Sequence, residues 1–353
     1  MAPRFLPSLS LRITVVALLL LPVTLSAEPD TPADTSPFDD FPQLDDRTGD
    51  TPPVAADRLP PLAAPDDGEE DPPAEPVELR LDLDESLTYQ VVGQLRQSFE
   101  HRPDFETDYR SGLTVEYRPI SEEERHRLPR WGVDLETDDD RPFDQSILMT
   151  VTDFSRIFDS PSHFRPPHES HQLMNQARLS FRLSDRGHLS DIRVHPPTNP
   201  LMRAGIEDAI RLSATSHPPL PRDPVEPGDK WSDSIDTTSS DEGTEQSYRL
   251  ELDYEFRGWT RCGDHHCVVI DVDHRLDSSG RQESRHLINE TVASGDGTAR
   301  LVFDPWQGRI VSSHWATSAA GDTETTRRQE PDETIRHFDF QTEMETTMRL
   351  TGP

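Results

Sequence analysis

The chain has 353 residues with 67 acidic against 35 basic side chains, a formal net charge of −32, and Lys230 is its one lysine. Charge of that sign and size excludes nucleic acid, because phosphate binding needs clustered Lys and Arg, and it disfavours docking on anionic lipid. Salt screens the self-repulsion of such a chain, so its melting temperature should rise between low and molar NaCl. Few lysines and many carboxylates suggest a salt-rich working medium, and an unchanged melting temperature would count against it.

Residues 1–27 begin with Arg4 and Arg12 and no acid, followed by an apolar run from Ile13 to Leu21. Pro22 breaks the run, and Ser26 and Ala27 supply the small exit residues of a cleavable secretory signal peptide. The run is shorter than the about 20 residues that a membrane span needs, and no later stretch is apolar enough to cross a bilayer. Losing the two arginines with the signal takes the remainder to −34. The expected location is therefore periplasmic or secreted, with no transmembrane span in the mature chain.

Residues 28–76 hold fifteen acids, two bases and twelve prolines. So few apolar groups cannot offset chain entropy, and an extended, disordered acidic linker is expected.

From Val77 to the end, 77–353, one β-rich domain is predicted. Leu79, Leu81 and Leu83 alternate with Arg80, Asp82 and Asp84, the two-residue period of a half-buried strand. Further strands are expected over 86–99, 113–118 and 146–151. Residues 177–183 and 188–194 read as a hairpin about the turn Asp185-Arg186-Gly187. An amphipathic helix over 200–214 follows, capped by Asn199, started by Pro200 and stopped before the Pro218-Pro219 pair. Its apolar side needs a surface to lie on, and the sheet offers one. Strands resume over 247–257, 267–276, 283–292, 297–303, 309–316 and 334–350, with turns expected at Ser278-Ser279-Gly280, Gly295-Asp296-Gly297, Trp306-Gln307-Gly308 and Gly321-Asp322. About ten strands joined by short turns predict a mainly β fold: an antiparallel curled sheet or half-open β-barrel with the helix packed on it.

Cys262 and Cys267 are an even pair in a chain expected to be exported, which predicts a disulfide. Closing so small a loop contributes only roughly 2 kcal/mol, a local staple.

After the helix come Pro224-Val225 and Pro227-Gly228-Asp229-Lys230-Trp231, a long strand and a strand pair flanking the cysteines, then Phe303-Asp304 and Gly308-Arg309-Ile310. This arrangement, over 200–353, resembles exported bacterial β-rich proteins with a Gly-Asp-x-Trp element, similar in general shape to the LolA/LolB-like half-barrels that carry lipidated or apolar cargo in the envelope. The resemblance implies a fold and a compartment, and no site residue.

His163, His168 and His171 could ligate zinc or copper with Glu169 between them, but their spacing is not a helical i, i+4 pair, and prolines interrupt it. A solvated loop is expected. Cys262, His265, His266 and Cys267 form a second soft-ligand set, yet six residues are too few to wrap one ion tetrahedrally, and the disulfide is expected instead. No Gly-x-Ser-x-Gly elbow, Ser-x-x-Lys pair or phosphate-cradling glycine loop occurs. The expected function is a non-catalytic exported binding module without cofactor, holding an apolar ligand or lipidated segment. The alternative is a structural, assembly or protein-interaction component of the envelope, and a hydrolase comes third.

Overall fold

A computed structural model of the protein describes residues 73–100, 107–129, 145–159, 177–195, 219–241, 244–283 and 286–352. The expected signal peptide, all but the last few residues of the linker, the expected helix over 200–214 and the His163, His168, His171 trio lie outside the described residues.

Eleven strands form one sheet: β1 (Leu87–Phe99), β2 (Thr107–Ile120), β3 (Gln145–Asp159), β4 (Arg178–Leu183), β5 (Leu189–His195), β6 (Lys230–Asp241), β7 (Thr244–Cys262), β8 (His265–Glu283), β9 (Leu287–Asp304), β10 (Arg309–Arg327) and β11 (Glu330–Gly352). Among the described residues the one helix is α1 (Glu122–Arg127), six residues long. Every strand pair is antiparallel, and the order is β5-β4-β3-β2-β1-β11-β10-β9-β8-β7-β6. The expected curled antiparallel sheet is therefore present, and it is not closed into a barrel. Two meanders meet at its centre, where the first strand pairs with the last, with Val91 opposite Met348 and Gly93 opposite Thr346. The open edges are β5 and β6, which follow each other in the chain.

Alternation builds the core. Leu250, Leu252, Tyr254 and Phe256 of β7 point inward, as do Ile270, Val272 and Leu276 of β8, and all are at most 6% exposed. Across from them lie Tyr89 of β1, Leu113 and Val115 of β2 and Phe181 of β4 in one continuous cluster. Each such side chain contributes about 1.5–3 kcal/mol by leaving water, so the inward stripe decides which face of the sheet closes on itself.

The segment Val77–Asp84 departs from expectation. Leu79, Leu81 and Leu83 are buried at 0%, 2% and 3% exposure, as their alternation predicts, but they join no strand ladder. The segment is a strap across one end of the curl. Val77 exchanges two 2.8 Å backbone bonds with Val225, Leu81 N–H donates to Asp185, and Asp82 N–H donates to Gly308 in the β9–β10 turn. Leu83 N–H donates to the Gln145 side chain at 3.0 Å. Period-two burial therefore reads correctly as extended backbone, while its donors go to turns from both meanders.

Arg186 fastens the same end. From the β4–β5 turn its guanidinium donates to the carbonyls of Leu79, Pro221 and Arg222 and to the Glu78 carboxylate, and its own carbonyl accepts from Leu220 N–H. Residues flanking both open edges are thus tied together at this end without pairing β5 to β6. The Gly-Asp-x-Trp element sits beside it. Gly228 takes φ +100°, the Asp229 carboxylate accepts from Glu226 N–H, and Trp231 stacks on Tyr254 at 5.3 Å. The Trp231 indole N–H donates to Pro219.

Three expected turns are overturned. Ser278-Ser279-Gly280 continues β8, Gly295-Asp296-Gly297 lies inside β9, and Gly321-Asp322 lies inside β10. Gly295, Gly297 and Gly321 mark close approach, a second use of glycine within strands. A Cβ at Gly321 would stand 2.7 Å from the Ala293 methyl and 2.8 Å from the Phe340 ring. One at Gly297 would meet the His274 ring at 2.6 Å. The strands β7 to β11 run 18 to 23 residues without interruption.

Candidate functional site

Two places gather chemistry: the inner face of the curl and the tip where β7 turns into β8. Above the strap the inner face is not the uniform Leu, Ile, Val and Phe lining of an ideal apolar carrier. It passes into small and hydroxyl-bearing residues, including Gly295, Gly297, Thr317, Ala319, Thr323 and Thr342. Apolar residues at its borders stay only partly covered, notably Val91, Phe99, Ile235, Tyr248 and Leu350.

His274 crosses this band. From β8 its ring passes over Gly297 of β9 and places Nε2 2.9 Å from Thr317 Oγ1 on β10, beside Trp315 at 5.5 Å between ring centroids. Among the described residues its Nδ1 has no hydrogen-bond partner, nor do Thr342 Oγ1 and the Tyr254 hydroxyl. Burial pushes the His274 pKa down, with Asp296 and Asp273 opposing, so the ring sits neutral.

His195 of β5 is also buried and neutral. Burial lowers its pKa, the bond to Pro129 opposes this, and Arg178, Arg193 and Arg125 add to the lowering. Its Nδ1–H donates to the Pro129 carbonyl at 2.8 Å, so Nε2 accepts from the Ser180 hydroxyl at 2.8 Å. That is the hydrogen-bond order of a Ser–His nucleophile, but Ser180 is 0% exposed and cannot reach a substrate. The pair is a satisfied element of the core. Nearby, buried Arg125 of α1 binds the carboxylate and carbonyl of Asp191. Burial raises the Asp191 pKa, but Arg125 and Arg193 outweigh it and hold the carboxyl below its usual range.

Both histidines have folded pKa values below the unfolded value of about 6.5. The unfolded chain then binds more protons as pH falls, so stability is present above about 6.5 and drains away below it. The melting temperature should drop between pH 7.5 and 5.5, less steeply in His274→Gln and least in His274→Gln with His195→Gln. A slope equal in all three proteins would place the titration elsewhere.

At the tip, Cys262 and Cys267 are bonded across the turn with Cα atoms 5.7 Å apart. His265 Nε2 lies 2.9 Å from Asp304 Oδ2. The Asp304 carboxylate, 2% exposed, also accepts from Trp306 N–H and Gln307 N–H and so shapes the β9–β10 turn. Sequence spacing could not join His265 to Asp304, 39 residues away; only the β8–β9 register brings them together.

A groove of about 440 Å³ lies partly on the outer face, where Gln94, Arg96, Asp296, Glu343 and Glu345 line it. Its lining is too charged for an apolar guest. Among the described residues no helix is long and apolar enough to cross a membrane.

No protein-family model and no curated protein matches the chain. Among solved structures, it is similar to a protein described as exported, with a YmcC-like fold, from Bacteroides fragilis NCTC 9343. The identity is 8%, the match covers 78% of this chain and 100% of that one, and the TM-score is 0.21. A likeness of that size bears on neither the fold nor the function.

Proposed function

We propose that the protein is an exported, non-catalytic binding module of the cell envelope whose curled sheet holds an apolar ligand or a lipidated segment. The observation that supports this is the set of half-covered apolar residues on the inner face, Val91, Phe99, Ile235, Tyr248 and Leu350, in a sheet left open between β5 and β6. Binding sites for apolar molecules are concave and lined mainly by side chains of this kind. The N-terminal signal features support export.

The test is organic extraction of the purified full chain followed by mass spectrometry, with uptake of a fluorescent fatty-acyl probe as a second readout. Lipid recovered in stoichiometric amount, and probe uptake weakened by Phe99→Glu at unchanged melting temperature, is the expected result. The absence of both ligand and probe uptake in a folded protein would remove the carrier reading.

That outcome would favour an assembly component instead. The strap-filled end, packed by Leu79, Leu81 and Leu83, supports this second reading, as do the terminal strands β5 and β6, whose outer edges pair with no strand among the described residues.

A further inference from the structure

The geometry points to a redox-gated zinc site at the β7–β8 tip, built from Cys262, Cys267, His265 and Asp304. The ligand atoms of His265, Cys267 and Asp304 all lie within 4.8 Å of one another, and the Cys262 sulfur is bonded to that of Cys267. The objection to a metal within the Cys262–Cys267 hexapeptide was that one short loop cannot surround an ion. Asp304 removes it by approaching from the β9–β10 turn, so two loops share the four ligands. Cysteine, histidine and carboxylate in a set of four are the donors zinc prefers.

In the oxidised chain the sulfurs are spent on each other and bind no ion. Cys262 is the partly exposed sulfur and Cys267 the buried one. A dithiol reductant attacks Cys262, the S–S bond breaks, and Cys267 leaves as thiolate. The second thiol of the reductant then displaces Cys262, so the reductant ends as a disulfide and both cysteines are reduced by two electrons in all. Zinc displaces the remaining thiol protons to water. The His265 Nε2 to Asp304 Oδ2 distance of 2.9 Å must open to about 3.3 Å, the separation of two tetrahedral ligands at zinc bond lengths. Gly263, at φ +63°, sits in the same tight turn as His265, and His265 is 36% exposed at its side chain, so the movement is on the solvent side. Asp304 stays put, anchored through Oδ1 by two turn amides.

Cobalt(II) is the probe, because tetrahedral thiolate ligation gives it charge-transfer absorption. The reduced full chain should take up one cobalt with that absorption, zinc should displace it, and the oxidised chain should take up none in this form. His265→Ala and Asp304→Asn should each weaken binding roughly tenfold or more. Replacing His163, His168 and His171 together with alanine should change nothing. The melting curve of each oxidised variant shows that it folds, and His265, being partly exposed, keeps the test available should Asp304→Asn fail to. A reduced chain that takes up no cobalt, cobalt bound without thiolate absorption, or an affinity unmoved by His265→Ala would overturn the site.

Discussion

Leu81→Ala should lower the stability of the domain by about 3 kcal/mol, and replacing Leu79, Leu81 and Leu83 together should abolish its cooperative unfolding. Each of the three side chains is at most 3% exposed, and they lie in the same core cluster as Phe181, Leu220, Val225, Tyr254 and Ile310. Truncating one leaves a cavity that its neighbours only partly refill, and the cost of a buried Leu→Ala change runs to about 2–5 kcal/mol. Three truncations in contact do not add strictly, but even a discounted sum approaches the roughly 5–15 kcal/mol that holds a typical domain folded. The loss is also architectural. The strap donates Leu81 and Asp82 N–H groups to turns of the two meanders, and Arg186 grips the Leu79 carbonyl. Without packing to hold it, that end of the open sheet loses the link between its two edges. Urea unfolding followed by tryptophan fluorescence is the measurement. A triple variant that unfolds cooperatively within about 1 kcal/mol of the parent would show that the strap rests on the sheet without supporting it.

What the sequence discloses here follows from which interactions are local. Phe181 against Arg182, or Leu252 against Asp253, declare their faces by alternation, and the hairpin β4–β5 declares itself through Asp185-Arg186-Gly187, where Gly187 takes φ +87°. Gly228 sits in a local turn with φ +100°, and Trp231 is half-buried against Tyr254. The strap was half legible: its inward leucines show in the pattern, while its donors go to Asp185 and Gly308, more than a hundred residues away. Ser278-Ser279-Gly280, Gly295-Asp296-Gly297 and Gly321-Asp322 misled because glycine serves both turns and crowded strand interiors, and only the neighbouring strands distinguish the two. The pairing of β1 with β11 likewise has no local signature. At the tip, the Cys262–Cys267 pair was legible from its count and spacing, but Asp304 joins it through register alone, and nothing in the residues around His274 announces that its ring spans three strands.

Gly297→Ala should be the most damaging of three glycine substitutions in the strands, costing about 3 kcal/mol, at the upper end of what overpacking a close contact costs. Its Cβ would fall 2.1 Å from the Ala316 carbonyl oxygen and 2.6 Å from two atoms of the His274 ring. The ring could swing away, but a backbone oxygen in the β9–β10 ladder cannot yield without parting the strands. Two glycines calibrate the effect. At Gly93 the nearest atom is the Ser111 hydroxyl at 3.2 Å, which rotates, so Gly93→Ala should cost less than about 1 kcal/mol. At Gly352 nothing lies within 4 Å, and Gly352→Ala should be neutral or slightly stabilising, since it reduces the freedom of the unfolded chain. The ring displacement supplies a second readout. Pushing His274 off Thr317 would open it to water and bring its folded pKa back toward that of the unfolded chain, so Gly297→Ala should also flatten the fall in melting temperature between pH 7.5 and 5.5. An equal cost at all three glycines would mean that chain entropy, and not crowding, governs them. A destabilised Gly297→Ala that keeps the parent's pH slope would mean that the strands part while the ring stays buried in place.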